Sequence, residues 1–296
     1  MNVFVTGGTG FVGGYLLREL KARGHDAICL VRPLSDPAPI RDLGFRTVEG
    51  DVADSASLAS IREGADAVIH LVGIIRPYRK RSFARIHVEG TANVVSWAKR
   101  NGARRFLQMS ALGTRPDARS DYHRTKWTAE EVVRASGLDH TIFRPSIIYG
   151  ERCEFLDILR GLINKPLVTP VAGLGRNILQ PVFAGDVARC FADALANNDA
   201  LGKTLPLAGP ETMTFDALID ILTRALGRRK PKLHLPAYLL WLPALAMEWT
   251  LPVPPLTRDQ LLMLNEENTA NMEETRALFP TPFCSFRAWI ASNFGK

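Results

Sequence analysis

The chain has 296 residues, 46% of them apolar and 23% charged, which is the composition of an ordinary globular protein and excludes collagen-like and low-complexity classes. Its net charge of +7 favours anionic ligands such as nucleotide phosphates or an acidic membrane surface. The length suits one large domain, or a domain plus a smaller lobe.

Short apolar runs and helical patterns alternate along the first half of the chain. The predicted strands are Val3–Val5, Ala27–Val31, Thr47–Glu49, Ala67–Leu71, Arg105–Met109 and Thr141–Phe143. Helices are predicted from Val12 to Leu20, from Ser55 to Glu63, from Ile86 to Ala98 and from Tyr122 to about Ser136. This alternation predicts an α/β fold, a Rossmann-type doubly wound parallel sheet over residues 1–150 with helices on both faces.

The second half has a looser pattern. Helices are predicted at Phe155–Ile163, Asp186–Ala196 and Thr214–Leu226, and a strand near 204–208 is predicted to return to the sheet. Residues 151–296 are therefore expected to form a smaller, mostly helical lobe. That lobe would close over the carboxyl ends of the strands, where open α/β sheets bind ligands.

The segment Leu235–Leu256 is rich in Leu, Trp and Ala, and several prolines interrupt it. Its uninterrupted apolar stretch is too short to span a bilayer. It can form a lid packed over an apolar pocket or an amphipathic patch at a membrane surface. Internal packing is the favoured interpretation because most large apolar side chains are buried.

Cysteine and histidine spacing matches no metal site, and the four cysteines are expected to be free thiols, mostly buried. No signal peptide precedes the first strand, so a cytoplasmic location is expected, or one at the periphery of the inner membrane. The densest basic run is interpreted as a solvated face and not as a nucleic-acid site; it comprises Arg76, Arg79, Lys80, Arg81 and Arg85.

A Gly-rich turn joins the first strand to the first helix. Gly7 permits the turn, Gly10 lets the backbone approach a pyrophosphate, and Gly13 lets the helix pack closely. Amides at the helix N-terminus would bind the phosphates. The predicted cofactor contacts of this turn are Gly7, Thr9, Gly10, Phe11, Val12 and Gly13.

Further cofactor contacts are predicted where later strands end. Arg32 follows the second strand, where an NAD site would have Asp or Glu, so NADP(H) is expected in preference to NAD(H). Asp51, followed by Val52, ends the third strand and could accept a hydrogen bond from the adenine amino group. Leu71, Val72 and Gly73 end the fourth strand, beside the expected ribose and adenine.

Taken together, several motifs resemble those of the short-chain dehydrogenase/reductase superfamily in its extended and atypical branches. They are the Gly-rich turn, Gly50-Asp51, His87–Val94, Tyr122–Lys126 and Phe143-Arg144-Pro145. The second half narrows the resemblance to bacterial relatives of the NADPH-binding accessory subunit of mitochondrial complex I, through Gln180–Ala188, Leu207–Glu211 and Pro255–Gln260. This group is epimerase-like in fold, so the resemblance implies bound NADPH without fixing a reaction.

The resemblance also implies catalytic roles for Tyr122, Lys126 and Ser110. Tyr122 would transfer a proton, while Lys126 lowers its pKa and holds the nicotinamide ribose. The spacing of four places both on one helix face. Ala111 stands where a carbonyl-polarising hydroxyl is expected, and Thr114 could replace it if the loop folded back. Met109, Lys126, Phe143 and Pro145 are further implied cofactor contacts.

Three functions stay open at this point. The first is an NADPH-dependent oxidoreductase that acts on a hydrophobic carbonyl compound, such as a quinone, beneath the Leu235–Leu256 segment. The second is a non-catalytic NADPH-bound structural, assembly or sensor protein at a respiratory or membrane complex. The third is a nucleotide-sugar epimerase or dehydratase, which the apolar lobe and the altered loop disfavour. Oligomeric state is left open.

Overall fold

The computed structural model describes residues 1–78, 81–264 and 266–295. Seven parallel strands form one sheet in the order β3-β2-β1-β4-β5-β6-β11. They are β1 (Asn2–Thr6), β2 (Asp26–Val31), β3 (Arg46–Glu49), β4 (Ala67–His70), β5 (Arg105–Met109), β6 (Asp139–Pro145) and β11 (Lys203–Leu207). The predicted Rossmann sheet is confirmed, and its strand order reverses direction at β1 and β4, where such folds bind ligands.

Helices cover both faces of this sheet. One face carries α1 (Phe11–Ala22), α2 (Ala38–Arg41) and α7 (Ala184–Ala194). The other carries α3 (Ser55–Ser60), α4 (Gly90–Arg100) and α5 (Asp121–Arg134), and a π-helical turn, Ala84–Glu89, leads into α4. Helix α3 is three residues shorter than the predicted Ser55–Glu63.

The strands are apolar on both sides because each side meets helices. Along β1, Val3 and Val5 point into the core under α1 and α7, while Phe4 points into the opposite core. There the Phe4 ring stacks on Trp97 of α4 with a centroid distance of 3.7 Å. All four side chains are fully buried, so the central strand is fixed from both faces.

Residues beyond 150 contribute a strand to the central sheet and a helix that covers it. Strand β11 pairs in parallel with β6, which confirms the predicted return strand, and α7 packs along α1. Arg105 of β5, nearly buried, donates to the carbonyl oxygens of Ala194 and Leu195 at the end of α7. A sheet strand and a covering helix thus come from beyond residue 150, although the boundary predicted there stays a prediction.

The remaining elements form a smaller lobe with its own apolar core around Tyr149, Leu156, Phe215 and Phe286. It is mostly helical, as predicted, but it also contains short strand pairs. Its elements are β7 (Ile148–Tyr149), α6 (Glu154–Asn164), β8 (Thr169–Ala172), β9 (Ile178–Leu179), β10 (Val182–Phe183), β12 (Met213–Thr214), α8 (Phe215–Ala225), β13 (Lys232–Leu235), α9 (Ala237–Thr250), α10 (Arg258–Leu264), α11 (Glu273–Leu278) and α12 (Phe286–Asn293).

Helix α9 overturns one expectation. The internal packing favoured for Leu235–Leu256 is wrong, because of the fourteen residues of α9 only Ala244 is buried. Tyr238, Leu242 and Trp249 are more than 70% exposed. The helix contacts α10 and leaves most of its apolar circumference facing outward.

The cysteines are free thiols, as expected. Cys29, Cys153 and Cys190 are buried, and Cys284 is half-buried. Burial raises the pKa of the Cys29 and Cys190 thiols to about 12, so both are protonated and unreactive at neutral pH.

Candidate functional site

The Gly-rich turn lies at the carboxyl end of β1 and has the geometry that its sequence predicts. Gly7 has a φ of +82°, which favours glycine, and the Gly10 amide donates to the Gly7 carbonyl at 3.0 Å. A Cβ on Gly13 would overlap the carbonyl oxygens of Gly7 and Gly8. The turn and the first turn of α1 are therefore in backbone contact.

The first backbone amides of α1 are free to bind an anion. The first hydrogen bond of α1 runs from the Gly14 amide to the Gly10 carbonyl, and no side chain caps the helix. The amides of Phe11, Val12 and Gly13 have no backbone acceptor in the part of the chain that the structure describes. Unpaired amides at a helix N-terminus bind phosphate, so these residues fit a dinucleotide pyrophosphate.

Charged side chains gather where β2 and β3 end. Arg32 is exposed and donates to the Tyr78 hydroxyl at 3.2 Å. Asp51 accepts from both terminal nitrogens of Arg81, at 2.6 and 3.4 Å, and from the Ala53 amide. Although burial opposes it, this pairing lowers the pKa of the Asp51 carboxyl. Arg81 thus supplies a second cation near Arg32, which spacing along the chain did not reveal.

The solvated-face interpretation of the basic run is wrong for two of its members. Arg81 and Arg76 each have only 18% of the side chain exposed, and Arg76 pairs with Glu154 at 2.5 Å. They are held because the loop after β4 packs against two carboxylates, Asp51 just after β3 and Glu154 at the start of α6. Arg79 and Lys80 lie outside the described residues.

Lys126 lies at the point where β4 and β5 end. Its ammonium is buried, donates to the Met109 carbonyl at 3.0 Å and packs against the backbone of Gly73, where a Cβ would approach to 2.9 Å. Burial lowers the pKa of Lys126 to about 8, against the opposing effect of Glu130. Gly73 therefore makes room for a cation at the strand-order reversal.

Tyr122 lies one helical turn before Lys126, and aromatic rings surround it. Its ring contacts Phe83, His87 and His123 edge-on, with centroid distances of 5.3 to 5.9 Å. Burial, with a smaller effect of the Asp259 carboxylate, raises the pKa of Tyr122 to about 12. The expected lowering of this pKa by Lys126 is not seen, because the effect of burial dominates.

Two buried histidines, His70 and His87, lie at the candidate site and were not among the predicted site residues, although His87 begins one of the motifs that carry the resemblance. His87 bonds the Ile74 backbone through Nε2 and the Thr125 hydroxyl through Nδ1, so it joins the β4 loop to α5. Burial and Lys126 lower the pKa of His87 to about 2. His70 contacts the Thr6 hydroxyl at 2.6 Å, and burial lowers its pKa to about 3. Both rings are therefore neutral at pH 7.

The loop after β5 folds back on itself. Ser110 is buried, and its hydroxyl lies 3.4 Å from that of Thr114, which is also buried. The Thr114 amide donates to the Ala111 carbonyl. This return places a second hydroxyl beside Ser110, next to the position where Ala111 lacks one.

Two carboxylates from the C-terminal part of the chain bond the start of α5 and the loop after β5. Asp259 of α10 accepts from the amides of Asp121 and Tyr122 at 2.6 and 3.2 Å, so it caps α5 at the tyrosine. Glu266 accepts from two nitrogens of Arg115, at 2.8 and 3.1 Å, and holds the loop after β5. These carboxylates come from the second lobe, and sequence order gave no sign of them.

Most of the remaining predicted cofactor residues supply shape, whereas Thr9 is an exposed polar residue of the Gly-rich turn. The Phe143 ring is buried against Phe191 and Phe279, and its carbonyl accepts from the Ser110 amide. Val52 packs against Gly90 of α4. Leu71, Val72, Met109 and Pro145 lie at or just beyond the carboxyl ends of β4, β5 and β6.

Across the described residues, no group of three or more His, Cys, Asp or Glu side chains is arranged to hold a metal ion. Within the same residues, no helix is both long and apolar enough to cross a bilayer.

This fold and site define a dinucleotide-binding protein with a Tyr-Lys pair on the helix that follows the fifth strand. The chain belongs to the NAD dependent epimerase/dehydratase family, whose model matches residues 3–207. NAD(P) is the cofactor expected for this family.

Two curated proteins and one solved structure are similar to the chain. It is 31% identical over 228 residues to NADH dehydrogenase (ubiquinone) 1 alpha subcomplex subunit 9, mitochondrial, of Arabidopsis thaliana, covering 74% of this chain and 56% of that protein. It is 36% identical over 150 residues to the ceramide reductase of Caulobacter vibrioides, covering 50% and 46%. The chain therefore spans less than two thirds of either relative. UDP-glucose 4-epimerase from Thermotoga maritima shares the fold, with a TM-score of 0.76, 16% identity and coverage of 98% and 96%.

Proposed function

We propose that the chain is an NADPH-dependent reductase of an apolar carbonyl compound. The observation that carries this proposal is half-buried Tyr122 one helical turn before buried Lys126, at the carboxyl edge of β4 and β5. When bound, NADPH would supply the hydride that turns a carbonyl into an alcohol. The chain's own residues would bind both reactants and supply the proton.

Tyr122 is suited to donating that proton. A phenol with a pKa of about 12 stays protonated at neutral pH, which favours the reductive direction over alcohol oxidation. Lys126 carries a positive charge at pH 7 and would hold the ribose hydroxyls while it stabilises the phenolate that proton transfer leaves. The Ser110–Thr114 hydroxyl pair would polarise the carbonyl oxygen in place of the hydroxyl missing at Ala111.

An apolar substrate agrees with two observations. The curated Caulobacter relative is named a ceramide reductase, which indicates a lipid substrate for that protein. In this chain, the carboxylates Asp259 and Glu266 near Tyr122 are already bonded to Tyr122, Asp121 and Arg115, so they are not free to bind a sugar.

The preference for NADP(H) rests on Arg32 and Arg81. Their guanidinium groups flank Asp51, and a 2′-phosphate would attract both. Loss of one charge-assisted hydrogen bond, about 1.5–3 kcal/mol, predicts that Arg32→Ala weakens NADPH binding about tenfold to a hundredfold. NADH binding should be unchanged. Equal weakening of both cofactors in a fluorescence titration would contradict the preference.

Single-turnover oxidation of bound NADPH by a panel of long-chain ketones, aldehydes and quinones tests the reaction. Tyr122→Phe should abolish oxidation and leave the NADPH dissociation constant unchanged, while Tyr238→Phe, at an exposed tyrosine, should change neither. Tight binding with no oxidation by any carbonyl would rule out the reductase.

That outcome would support a second candidate, a protein that holds NADPH as a structural element of a larger assembly. Ala111 at the expected hydroxyl position favours it, and so does the similarity to a subunit of mitochondrial NADH dehydrogenase. In this case NADPH should remain bound through purification and stabilise the fold, and Tyr122→Phe should be neutral in every assay.

A further inference from the structure

Helix α9 is apolar on all sides, yet the protein buries only its Ala244. A helix of this kind is normally enclosed by a protein core or by lipid. Here Tyr238, Leu242 and Trp249 are 75%, 72% and 83% exposed, and Leu251 and Val253 continue the exposed apolar surface beyond the helix. A continuous apolar surface of this kind marks a binding face.

The same surface includes a cavity between α9 and α10. Its volume is about 330 Å³, and Ala237, Tyr238, Trp241, Leu242, Leu261 and Leu262 line it. The side chains that line it are aliphatic or aromatic, which suits an acyl chain. The one carboxylate of α9, Glu248, is neutralised by the backbone amide and guanidinium of Arg258, at 2.7 and 2.8 Å.

Exposed arginines on the segments that lead to α9 indicate the chemistry of its binding partner. The Gly173 amide donates to the Leu235 carbonyl at 2.8 Å, which places exposed Leu174 and Arg176 close to the start of α9. Arg228 and Arg229, also exposed, precede β13, the strand that leads into the helix. These three arginines have no carboxylate partner within the described parts of the chain, whereas Asp216 and Asp220 pair with Lys232.

We infer that the α9–α10 hairpin docks on an anionic lipid bilayer, with α9 lying in the interface. Fourteen residues extend about 21 Å, less than the hydrocarbon thickness of about 30 Å, so the helix can lie in a membrane surface but not cross it. Tyr238 and Trp241 near its start and Trp249 near its end are aromatic residues of the kind that occupy the headgroup region. A second copy of the chain would bring like charges together, whereas anionic lipid supplies the opposite charge.

Vesicle sedimentation with the full chain tests this inference and needs no measurement of activity. The protein should bind vesicles that contain roughly one third phosphatidylglycerol at least tenfold more tightly than pure phosphatidylcholine, and salt should weaken the binding. Leu242→Asp with Trp249→Asp should reduce binding at least tenfold. Leu34→Asp, at a leucine that is 99% exposed in the turn after β2, is the matched control and should bind normally.

A second variant separates charge from apolar contact. Arg228→Gln with Arg229→Gln should remove most of the preference for anionic vesicles and leave quenching of tryptophan fluorescence by brominated lipid intact at high lipid concentration. A monomer that binds neither kind of vesicle would overturn the inference. The inference would also be overturned if the protein bound no vesicles and formed a dimer that the double variant Leu242→Asp with Trp249→Asp dissociates. In that case α9 would be covered by a second copy of the chain. Because vesicle binding needs neither NADPH nor a carbonyl, either result leaves the proposed reductase untouched.

Discussion

Gly13 and Gly14 are neighbours in α1 with opposite surroundings. A Cβ on Gly13 would overlap two backbone carbonyls of the cofactor turn, whereas one on Gly14 would meet nothing within 4 Å. Gly13→Ala should therefore cost about 1–3 kcal/mol of unfolding free energy through overpacking, and raise the NADPH dissociation constant at least tenfold. Urea denaturation and a fluorescence titration measure the two effects.

Gly14→Ala is the matched control. It should bind NADPH normally and gain up to about 1 kcal/mol of stability, because alanine is the better helix former. If Gly13→Ala bound NADPH as tightly as Gly14→Ala, the turn would not hold the pyrophosphate.

Lys126 makes stability depend on pH at the alkaline end. Its pKa is about 8 in the folded chain and 10.5 when unperturbed, so between these values the unfolded state binds more protons. This group's contribution to stability should therefore increase as pH rises from 8 to 10.5, by up to about 3 kcal/mol at 1.4 kcal/mol per pKa unit. Unfolding of the cofactor-free chain at several pH values measures it.

The difference between wild type and Lys126→Met isolates this contribution, since other groups that titrate in the same range cancel. Lys99→Met, at an exposed lysine of α4, should leave the pH profile unchanged. A difference curve without slope would mean that Lys126 is solvated in the folded chain.

At the scale of elements, prediction succeeded where local pattern and tertiary environment agree. The buried strands of the central sheet have continuous apolar runs, and the glycine spacing at Gly7, Gly10 and Gly13 indicated the turn because its backbone geometry is local. The pair Tyr122 and Lys126 was found for the same reason, since four residues on a helix fix a shared face.

Prediction failed where the environment is set by distant segments. The burial of α9 was expected from its apolar residues, but whether a helix has a partner depends on the rest of the fold. Arg81 is bonded to a residue 30 positions away, and Arg115 is bonded to Glu266, which lies 151 positions further along the chain. None of these contacts leaves a periodic signal in the sequence.

Helix α5 depends on one such distant contact. The Asp259 carboxylate accepts hydrogen bonds from the Asp121 and Tyr122 amides at the start of α5. In Asp259→Asn, the side-chain oxygen can accept from only one of these amides, and the NH₂ group faces the other. We expect a loss of about 1–2 kcal/mol of stability and a lower kcat, with NADPH affinity unchanged. Asp117→Asn, at a carboxylate 84% exposed, should have no effect on denaturation or turnover. A full kcat in Asp259→Asn would show that this cap does not position Tyr122.

At the scale of the whole molecule, β11 and α7 hold the two halves of the chain together, because β11 pairs with β6 and α7 packs on α1. A fragment of residues 1–150 would leave the edge of β6 unpaired and uncover the apolar face of α1. It should show no cooperative thermal transition alone, and co-expression with residues 151–296 should restore one. Near-ultraviolet circular dichroism measures this. Cooperative unfolding of the isolated fragment would establish residues 1–150 as an independent domain.

The Asp259 cap also has a consequence for biosynthesis. The residues proposed to bind the dinucleotide leave the ribosome early, whereas the carboxylate that bonds the Tyr122 amide follows that tyrosine by 137 positions. A nascent chain can thus form the proposed nucleotide-binding turn long before the start of α5 is fixed. For the proposed reductase, synthesis itself would delay turnover until the last part of the chain has folded into place.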